Sequence, residues 1–251
     1  MEFLYKKVYK NTHFFNKKVY KFWDQNKLMY EALVVEEFRK LPVFALADVN
    51  QIINNRGYAK KFLKRMVERK KIFRIKRDCY TLHNDPFLIS TFVLKPSYIS
   101  SISALSYHGL ITQIPNEIFC FTNKKTTRFN FGIKINFIYT KYFFGFEIKK
   151  YNNFKIPVAD PEKAIIDTIG LLPISTVEEA VSNVNEKKMV SYLERIGKSC
   201  IVKRLGFVME RNGFDVYERL RSYLNKKYTL LDPVGRKRGK KNKKWFVIEN
   251  G

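Results

Sequence analysis

The helical periodicity of residues 58–69 constrains the fold of this chain more than any other feature of its sequence. At about 100° per residue, the segment divides into two halves of a helical wheel. The apolar half consists of Tyr58, Ala59, Phe62, Leu63, Met66 and Val67. The other half carries Lys60, Lys61, Lys64 and Arg65, with Glu68 among them and Arg69 at the edge. We therefore predict an amphipathic helix with one half in a core and a basic half in solvent.

The segments around this helix predict a small domain. An apolar 3.6-residue pattern predicts an earlier helix that starts at Asp24 and stops at Pro42; its apolar positions are Leu28, Leu33, Val34, Val35 and Phe38. A short strand at Val43–Phe44 and a second helix follow, and Gly57 predicts the turn before the basic helix, which spans Tyr58 to Arg69.

Residues 72–82, "IFRIKRDCYTL", are rich in β-branched and aromatic residues around a turn at Arg77–Asp78, which predicts a hairpin. Two helices, a basic helix and a basic hairpin follow the order of a winged helix-turn-helix. In that fold the third helix enters the major groove and the hairpin lies along the DNA backbone.

The sequence pattern changes after "HNDP", and this change predicts a second domain. Residues 117–158 read as four or five antiparallel strands, and several helices follow them. Asp160 is the predicted N-cap of one of these helices, with Pro161 at its first position. The predicted class is α+β. We divide the chain into an aromatic and basic extension (1–23), the winged helix (24–84), a connection (85–95) and a C-terminal domain (96–251).

Composition indicates the kind of partner. The 251 residues carry a net charge of +25, which favours a polyanion, nucleic acid first and an anionic membrane second. With 45% hydrophobic residues the chain has enough apolar side chains for a core. Its three cysteines and three histidines share no metal-ligand spacing, and no apolar run is long enough for a membrane span or a signal peptide. We expect a cytoplasmic protein without metal or cofactor.

A series of motifs in the second half of the chain resembles the AbiEi family of antitoxins, from abortive-infection (type IV) toxin–antitoxin systems. The motifs occur in order: "YISSISALSYHGL" followed by "IP", then "VADPEKAIIDTI", then "VKRLGFVMERNG", and finally "LDPVG" with "KKWFVIENG". With the helices and hairpin before them, they extend the resemblance over residues 24–251. Residues 1–23 lie outside the family pattern.

The resemblance implies a protein that is not an enzyme and has two domains. The winged helix would bind repeats in its own promoter and repress the operon. The C-terminal domain would counteract a nucleotidyltransferase-like toxin, without a stable complex and therefore without an assumed interface. Lys203 and Arg204 lie in the "KRLGF" motif, where the family carries antitoxin-domain residues, and their role is left open between structure and function.

The predicted DNA contacts divide by element. Lys60, Lys61, Lys64 and Arg65 would meet phosphates or base edges, with Arg69 at the margin, and the phosphate contacts of the hairpin would come from Arg74, Lys76 and Arg77. Arg65 is the predicted guanine reader, because a guanidinium can bind O6 and N7 together. The alternative is a solvated basic face, in which Glu68 pairs with Lys64 or Lys61.

Other charged residues have competing interpretations. Glu162, Lys163 and Asp167 could suggest a catalytic group, but the structural interpretation is favoured. Asp160 and Glu162 suit a helix N-terminus, and Asp167 can hydrogen-bond a neighbouring loop. Glu147 and Lys149 form an E-x-K doublet like that of metal-dependent nucleases, with Asp85 the only upstream acid to consider. His108 fits a helix C-terminus, and the basic residues 236–244 could contact DNA or an RNA-binding partner or form a mobile loop. The rival functions are an orphan winged-helix regulator with a dimerising or ligand-sensing C-terminal domain, and a nuclease.

Overall fold

The computed structural model describes the backbone of residues 18–250 and the side chains of residues 28–250. Most of the predicted N-terminal extension lies outside this part. The chain forms two compact units, one that ends at Asn84 and one that starts at Asp85. The backbone described before residue 24 is already helical, because the first helix begins at Lys18 and not at Asp24.

The first unit combines three helices with a small antiparallel sheet. Its helices are α1 (Lys18–Phe38), α2 (Leu46–Ile53) and α3 (Arg56–Glu68). Its strands are β1 (Phe44–Ala45), β2 (Phe73–Lys76) and β3 (Cys79–Thr81), in the order β1-β3-β2. The predicted hairpin is therefore confirmed as β2 and β3, with Asp78 of its turn in the left-handed region at φ 56°.

The apolar half of α3 forms the centre of the core of this unit, as its periodicity predicts. Its fully buried side chains are Ala59, Phe62, Leu63 and Met66, none more than 1% exposed. Tyr58 and Val67 are half-buried and pack against the same cluster. The core continues through stacked rings of Phe38 and Phe44, 4.5 Å between centroids. Burial of these side chains therefore fixes which half of α3 faces solvent.

Two details of the predicted helices are wrong. Gly57 does not form a turn but lies in the first turn of α3; the chain reverses at Asn54, whose short polar side chain tolerates a left-handed φ of 52°. On α1, only Val34 and Phe38 of the predicted apolar face are buried, whereas Leu28, Leu33 and Val35 are 38–67% exposed. The two buried positions are four residues apart, so only a narrow stripe of α1 packs on the core.

The second unit contains a six-stranded sheet in the order β6-β7-β5-β4-β9-β8. The strands are β4 (Tyr98–Ile99), β5 (Glu117–Thr122), β6 (Thr127–Phe131), β7 (Ile133–Tyr139), β8 (Phe146–Tyr151) and β9 (Phe154–Ala159). The strands predicted over residues 117–158 are confirmed as five, and β6–β7 and β8–β9 pair antiparallel as predicted. The wholly antiparallel arrangement is wrong, because β5 pairs with β7 in parallel and β4 pairs with β9 in parallel. Strand β6 passes β5 to reach the edge, and β7 returns between them after a turn at Gly132. The class is α+β with a mixed sheet.

Helices surround this sheet. They are α4 (Pro86–Val93), α5 (Ser101–Tyr107), α6 (Pro161–Thr168), α7 (Ile174–Val181), α8 (Glu186–Ile196), α9 (Ser199–Arg211) and α10 (Tyr217–Leu220), followed by a 3-10 turn at Arg221–Tyr223. Residues 85–95, which we assigned to a connection, contain α4, and its Leu88 and Ile89 are buried in this unit. Across residues 18–250, no helix is both long and apolar enough to cross a membrane.

A second, three-stranded sheet follows α10. Its strands are β10 (Thr229–Leu230), β11 (Lys240–Asn242) and β12 (Val247–Glu249), in the order β10-β12-β11. The predicted strand in "WFVIE" is therefore confirmed, and part of the basic segment 236–244 forms β11. The N-cap predicted for α6 is also confirmed, because Asp160 accepts a hydrogen bond from the Lys163 backbone N–H at 2.9 Å.

Candidate functional site

The exposed half of α3 presents the lysines that the sequence places there. Lys60, Lys61 and Lys64 are all exposed. Lys64 Nζ lies 3.8 Å from a carboxylate oxygen of Glu68, one helical turn away, and both side chains are more than half exposed. Such an exposed pair contributes little to stability, so Lys64 can leave it for a phosphate at small cost. Among the described residues, Lys60 and Lys61 form no ion pair.

Local sequence fixes where this basic face starts. Asn54 ends α2 in the left-handed conformation, and Asn55 caps α3 by accepting a hydrogen bond from the Tyr58 backbone N–H at 2.9 Å. The two asparagines therefore place α3 directly after α2, with Gly57 already in the helix. Because this connection is short, α3 already begins at Arg56, four residues before Lys60.

Arg65, the predicted guanine reader, packs against the start of its own helix. Its guanidinium lies over the ring of Tyr58, with its central carbon 5.5 Å from the ring centroid. Its Nε and Nη2 atoms are shielded from solvent and find no hydrogen-bond acceptor in the described part of the chain. Buried donors without partners are costly, so an incoming acceptor that reached them would be strongly favoured. With Lys61, Lys64 and Glu68, these two residues line a shallow pocket.

Arg69 lies at the edge of this face and is occupied. Its Nη1 donates a hydrogen bond to Glu31 of α1 at 3.1 Å. The arginine is half exposed and the glutamate 19% exposed, so the pair is only partly screened. Arg69 therefore ties α3 to α1, and a contact with DNA would have to compete with that pair.

The hairpin presents a second group of cations. Along β2, Ile75 is buried while Arg74 and Lys76 on either side of it are exposed, as alternation along a strand requires. Arg77 in the turn is 92% exposed, and its Nε lies 4.0 Å from Asp78. The structure thus assigns all three predicted hairpin residues to solvent-facing positions of the same unit as α3.

The motif "PEKAIID" builds a closed polar cluster in the second unit. Lys163 and Asp167, one turn apart on α6, form an ion pair with almost no exposure of either side chain. Asp167 also accepts hydrogen bonds from the hydroxyls of Tyr98 at 3.0 Å and Ser100 at 2.7 Å. The Lys163 ammonium lies 5.6 Å from the ring of Phe144 and a similar distance from Tyr98.

Burial dominates the titration of this pair. It lowers the pKa of Lys163 and raises the pKa of Asp167, and the charge of each partner opposes both shifts. Burial and the neighbouring carboxylate also raise the pKa of Tyr98 far above its ordinary value. The cluster is enclosed, so its arrangement joins α6 to β4 and does not present a reactive group to a substrate. Tyr98 and Ser100 could not be identified as partners from local spacing, because they precede Asp167 by more than 60 residues.

Asp160 and Glu162, at the start of α6, bind residues at the start of α8 and along it. Glu162 accepts a hydrogen bond from the Asn185 backbone N–H at 2.9 Å, and Lys188 lies 3.2 Å from both Glu162 and Asp160. The Tyr192 hydroxyl donates to Asp160 at 2.8 Å; burial, followed by this carboxylate, raises the pKa of Tyr192 to about 12. These acids are therefore engaged in packing one helix on another.

Lys203 and Arg204 both bind the segment that leads into β10. Lys203 is buried, and its Nζ donates to Asn225 Oδ1 at 2.7 Å and to the Lys227 carbonyl. Arg204 donates from Nε to the Leu230 carbonyl at 2.8 Å. Burial lowers the pKa of Lys203. The two side chains thus position residues 225–230, and neither points into an open site.

The remaining candidates are bound to neighbours. Glu147 and Lys149 lie on β8 and form an ion pair with each other at 2.6 Å, which lowers the pKa of Glu147. Asp85 caps α4 by accepting from the Leu88 backbone N–H at 3.1 Å. A ring nitrogen of His108, which ends α5, lies 2.8 Å from the Ala159 carbonyl. Within the described side chains, no group of three His, Cys, Asp or Glu is placed to hold a metal ion.

No protein-family model matches this chain, and no curated protein matches it significantly. The face of α3 and the hairpin present exposed cations to a partner, whereas the Lys163–Asp167 cluster is enclosed.

Proposed function

We propose that the first unit is a winged helix-turn-helix that binds double-stranded DNA, and that the protein is an antitoxin that represses its own operon. The observation that carries the DNA-binding part is the exposure of Lys60, Lys61 and Lys64 on one face of α3. The opposite face of α3 is the core, so these lysines cannot turn inward. The order of helices and strands is that of a winged helix, with α3 as the recognition helix and β2–β3 as the wing.

The distribution of charge also supports DNA binding by this unit. Arg74, Lys76 and Arg77 add exposed positive charge on the wing. Each cation that neutralises a phosphate releases condensed counterions, so such a surface binds duplex DNA with an affinity that falls steeply with salt. Two donors of Arg65 have no acceptor among residues 28–250, and they favour a further acceptor in the pocket beside Tyr58, either a phosphate oxygen or a guanine edge.

Neutralising the face of α3 tests this role. We expect the triple substitution of Lys60, Lys61 and Lys64 by alanine to weaken binding to the duplex upstream of its own gene on the order of tenfold or more. The slope of log affinity against log salt should also flatten by about 2 to 3. Fluorescence anisotropy over a salt series measures both quantities.

A charge-matched control separates this surface from overall charge. Lys124, Lys125 and Lys155 are exposed lysines of the second unit, and their replacement by alanine should leave duplex affinity nearly unchanged. Equal losses in the two triple variants would contradict the assignment of α3. The repressor role itself is contradicted if the wild-type protein binds its own upstream region no more tightly than random duplex at the same salt concentration.

The antitoxin role is supported by the resemblance of the second unit to the AbiEi family and is tested separately. We expect the adjacent gene to encode a nucleotidyltransferase-like toxin that arrests growth when expressed alone. Co-expression with this protein should restore growth, and the lysine-to-alanine triple variant of α3 should restore it equally, because neutralisation is assigned to the second unit. A neighbour that is harmless alone, or toxicity that persists on co-expression, would refute this role.

A second candidate function is a regulator whose second unit senses a small ligand. A pocket of about 330 Å³ in that unit favours it. Phe87 forms one wall, stacked on Tyr107 at 5.7 Å and tilted against Tyr151 at 5.0 Å, with Ser103 and Ile118 also lining the pocket. Aromatic walls with a few polar groups are typical of ligand sites. This function predicts no nucleotidyltransferase gene beside it, so gene order distinguishes the two.

A further inference from the structure

The segment that contains β10 and β11 carries an unusual density of positive charge. Residues 226–244 include nine lysines and arginines and a single acid, Asp232. Within the described part of the chain, Lys244 is the one member of this set with an ion pair, to Glu210 of α9. The side chains of residues 236–241 are all exposed. Such a concentration of like charge is unfavourable in the absence of an anionic partner.

The backbone of this segment is held in place, contrary to a mobile loop. Asp232 accepts hydrogen bonds from the backbone N–H groups of Val234 at 2.8 Å and Gly235 at 3.1 Å. The Asn250 side chain donates to the Asp232 carbonyl at 2.6 Å and to the Arg236 carbonyl. A Cβ at Gly239 would overlap the backbone of Glu249, so the backbones of these two residues pack directly against each other. The cations therefore project from a fixed backbone.

Two aromatic rings lie among these cations. Tyr228 is 36% exposed, and the Phe246 ring meets it edge to face at 5.8 Å. The Lys241 ammonium lies over the Tyr228 ring at 5.3 Å from its centroid. Phe246 has a φ of 53°, a conformation that bulky residues rarely adopt, and Lys203 lies 5.6 Å from its ring. The ammonium of the buried Lys203 thus lies near the Phe246 ring and also donates a hydrogen bond to the Asn225 side chain.

We propose that residues 225–246 form a binding site for single-stranded nucleic acid, separate from the duplex-binding face of α3. An unpaired base takes the place of the Lys241 ammonium over the Tyr228 ring. Lys240, Lys241 and Lys243 then bind the neighbouring phosphates. Interleaved rings and cations are the arrangement that binds single strands with little sequence preference. Bases of a duplex are already stacked on one another, so they cannot use the ring. An anionic membrane would attract the same charge, and vesicles with anionic lipid therefore serve as the competing ligand in the test.

The full-length protein with alanine at Lys60, Lys61 and Lys64 is the starting point for the test, because its duplex-binding face is neutralised. We expect it to bind a labelled 12-nucleotide oligouridine or oligothymidine more tightly than a duplex of the same length, measured by fluorescence anisotropy. Adding Tyr228→Ala should weaken the single-strand complex at least about fivefold while its salt slope stays constant. Adding alanine at Lys240, Lys241 and Lys243 should weaken it and flatten the slope by about 2. Uridine against thymidine shows whether RNA or DNA is preferred.

The control adds alanine at Lys124, Lys125 and Lys155 to the same starting protein and should leave single-strand affinity unchanged. Circular dichroism and thermal melting of each variant show whether the second unit stays folded. The proposal is overturned if neither oligonucleotide binds, if Tyr228→Ala binds as the starting protein does, or if vesicles with anionic lipid bind while oligonucleotides do not. These outcomes are independent of the duplex experiment on α3.

Discussion

Replacing Asp167 with alanine should lower the free energy of unfolding of the second unit by about 3–5 kcal/mol. The substitution leaves the buried ammonium of Lys163 without a counter-charge, and it removes the acceptor of the Tyr98 and Ser100 hydroxyls. Each of these groups is shielded from water, so none can replace the lost carboxylate by hydration. Urea unfolding followed by circular dichroism measures the effect.

Two further variants sharpen this prediction. Glu147→Ala removes a carboxylate from an exposed ion pair on β8, and we expect it to change stability by less than about 1 kcal/mol. The double variant Lys163→Met with Asp167→Leu removes both buried charges and should recover part of the loss, because the desolvation cost disappears with the pair. A small effect of Asp167→Ala, equal to that of Glu147→Ala, would show that burial does not govern this pair.

Gly206→Ala is expected to have the next largest effect, a destabilisation of about 2–3 kcal/mol. The glycine lies in α9 beneath the ring of Trp245, and a Cβ there would overlap this ring, with Cε3 2.9 Å away and two other ring atoms closer. The ring cannot move aside easily, because it is fully buried and its Nε1 donates to Glu210 at 2.8 Å. The helix-forming advantage of alanine, about 1 kcal/mol, offsets only part of this cost.

Gly57→Ala is the matched control for this substitution. Gly57 also lies in a helix, α3, but a Cβ there meets only the Asn55 side chain at an ordinary 3.5 Å. Alanine at this position should therefore stabilise the first unit by about 0.5–1 kcal/mol. Opposite signs for the two glycines in thermal and urea unfolding would support the packing explanation. Similar effects at both positions would contradict it.

Features set by neighbours in the chain could be predicted from the sequence. The apolar half of α3 follows from spacing alone, because residues three and four apart share a face. Asp160 was identified as an N-cap because the cap and the N–H it binds lie three residues apart. The hairpin at Arg77–Asp78 was predictable for the same reason, since its strands adjoin its turn.

Features that depend on distant partners could not be predicted. The parallel pairing of β5 with β7 is set by which strands meet across the sheet, and the alternation of β6 and β7 is compatible with several orders. Arg65 lies on the exposed half of the wheel, yet its long side chain folds back onto Tyr58, seven residues earlier and at the edge of the core. A helical wheel assigns a direction to Cβ and not to the end of a flexible side chain.

Strand β4 has a consequence for how the second unit folds. It is only two residues long, yet it lies between β5 and β9 and alone joins the two halves of the six-stranded sheet. The pairs β6–β7 and β8–β9 are closed by short turns and can form early, since they bring together residues close in the chain. Joining the halves requires Tyr98 and Ile99 to find strands far away in sequence, and it also completes the Asp167 cluster. We therefore expect the polar cluster and the closure of the sheet to form in the same late step of folding, and the second unit to unfold in a single cooperative transition.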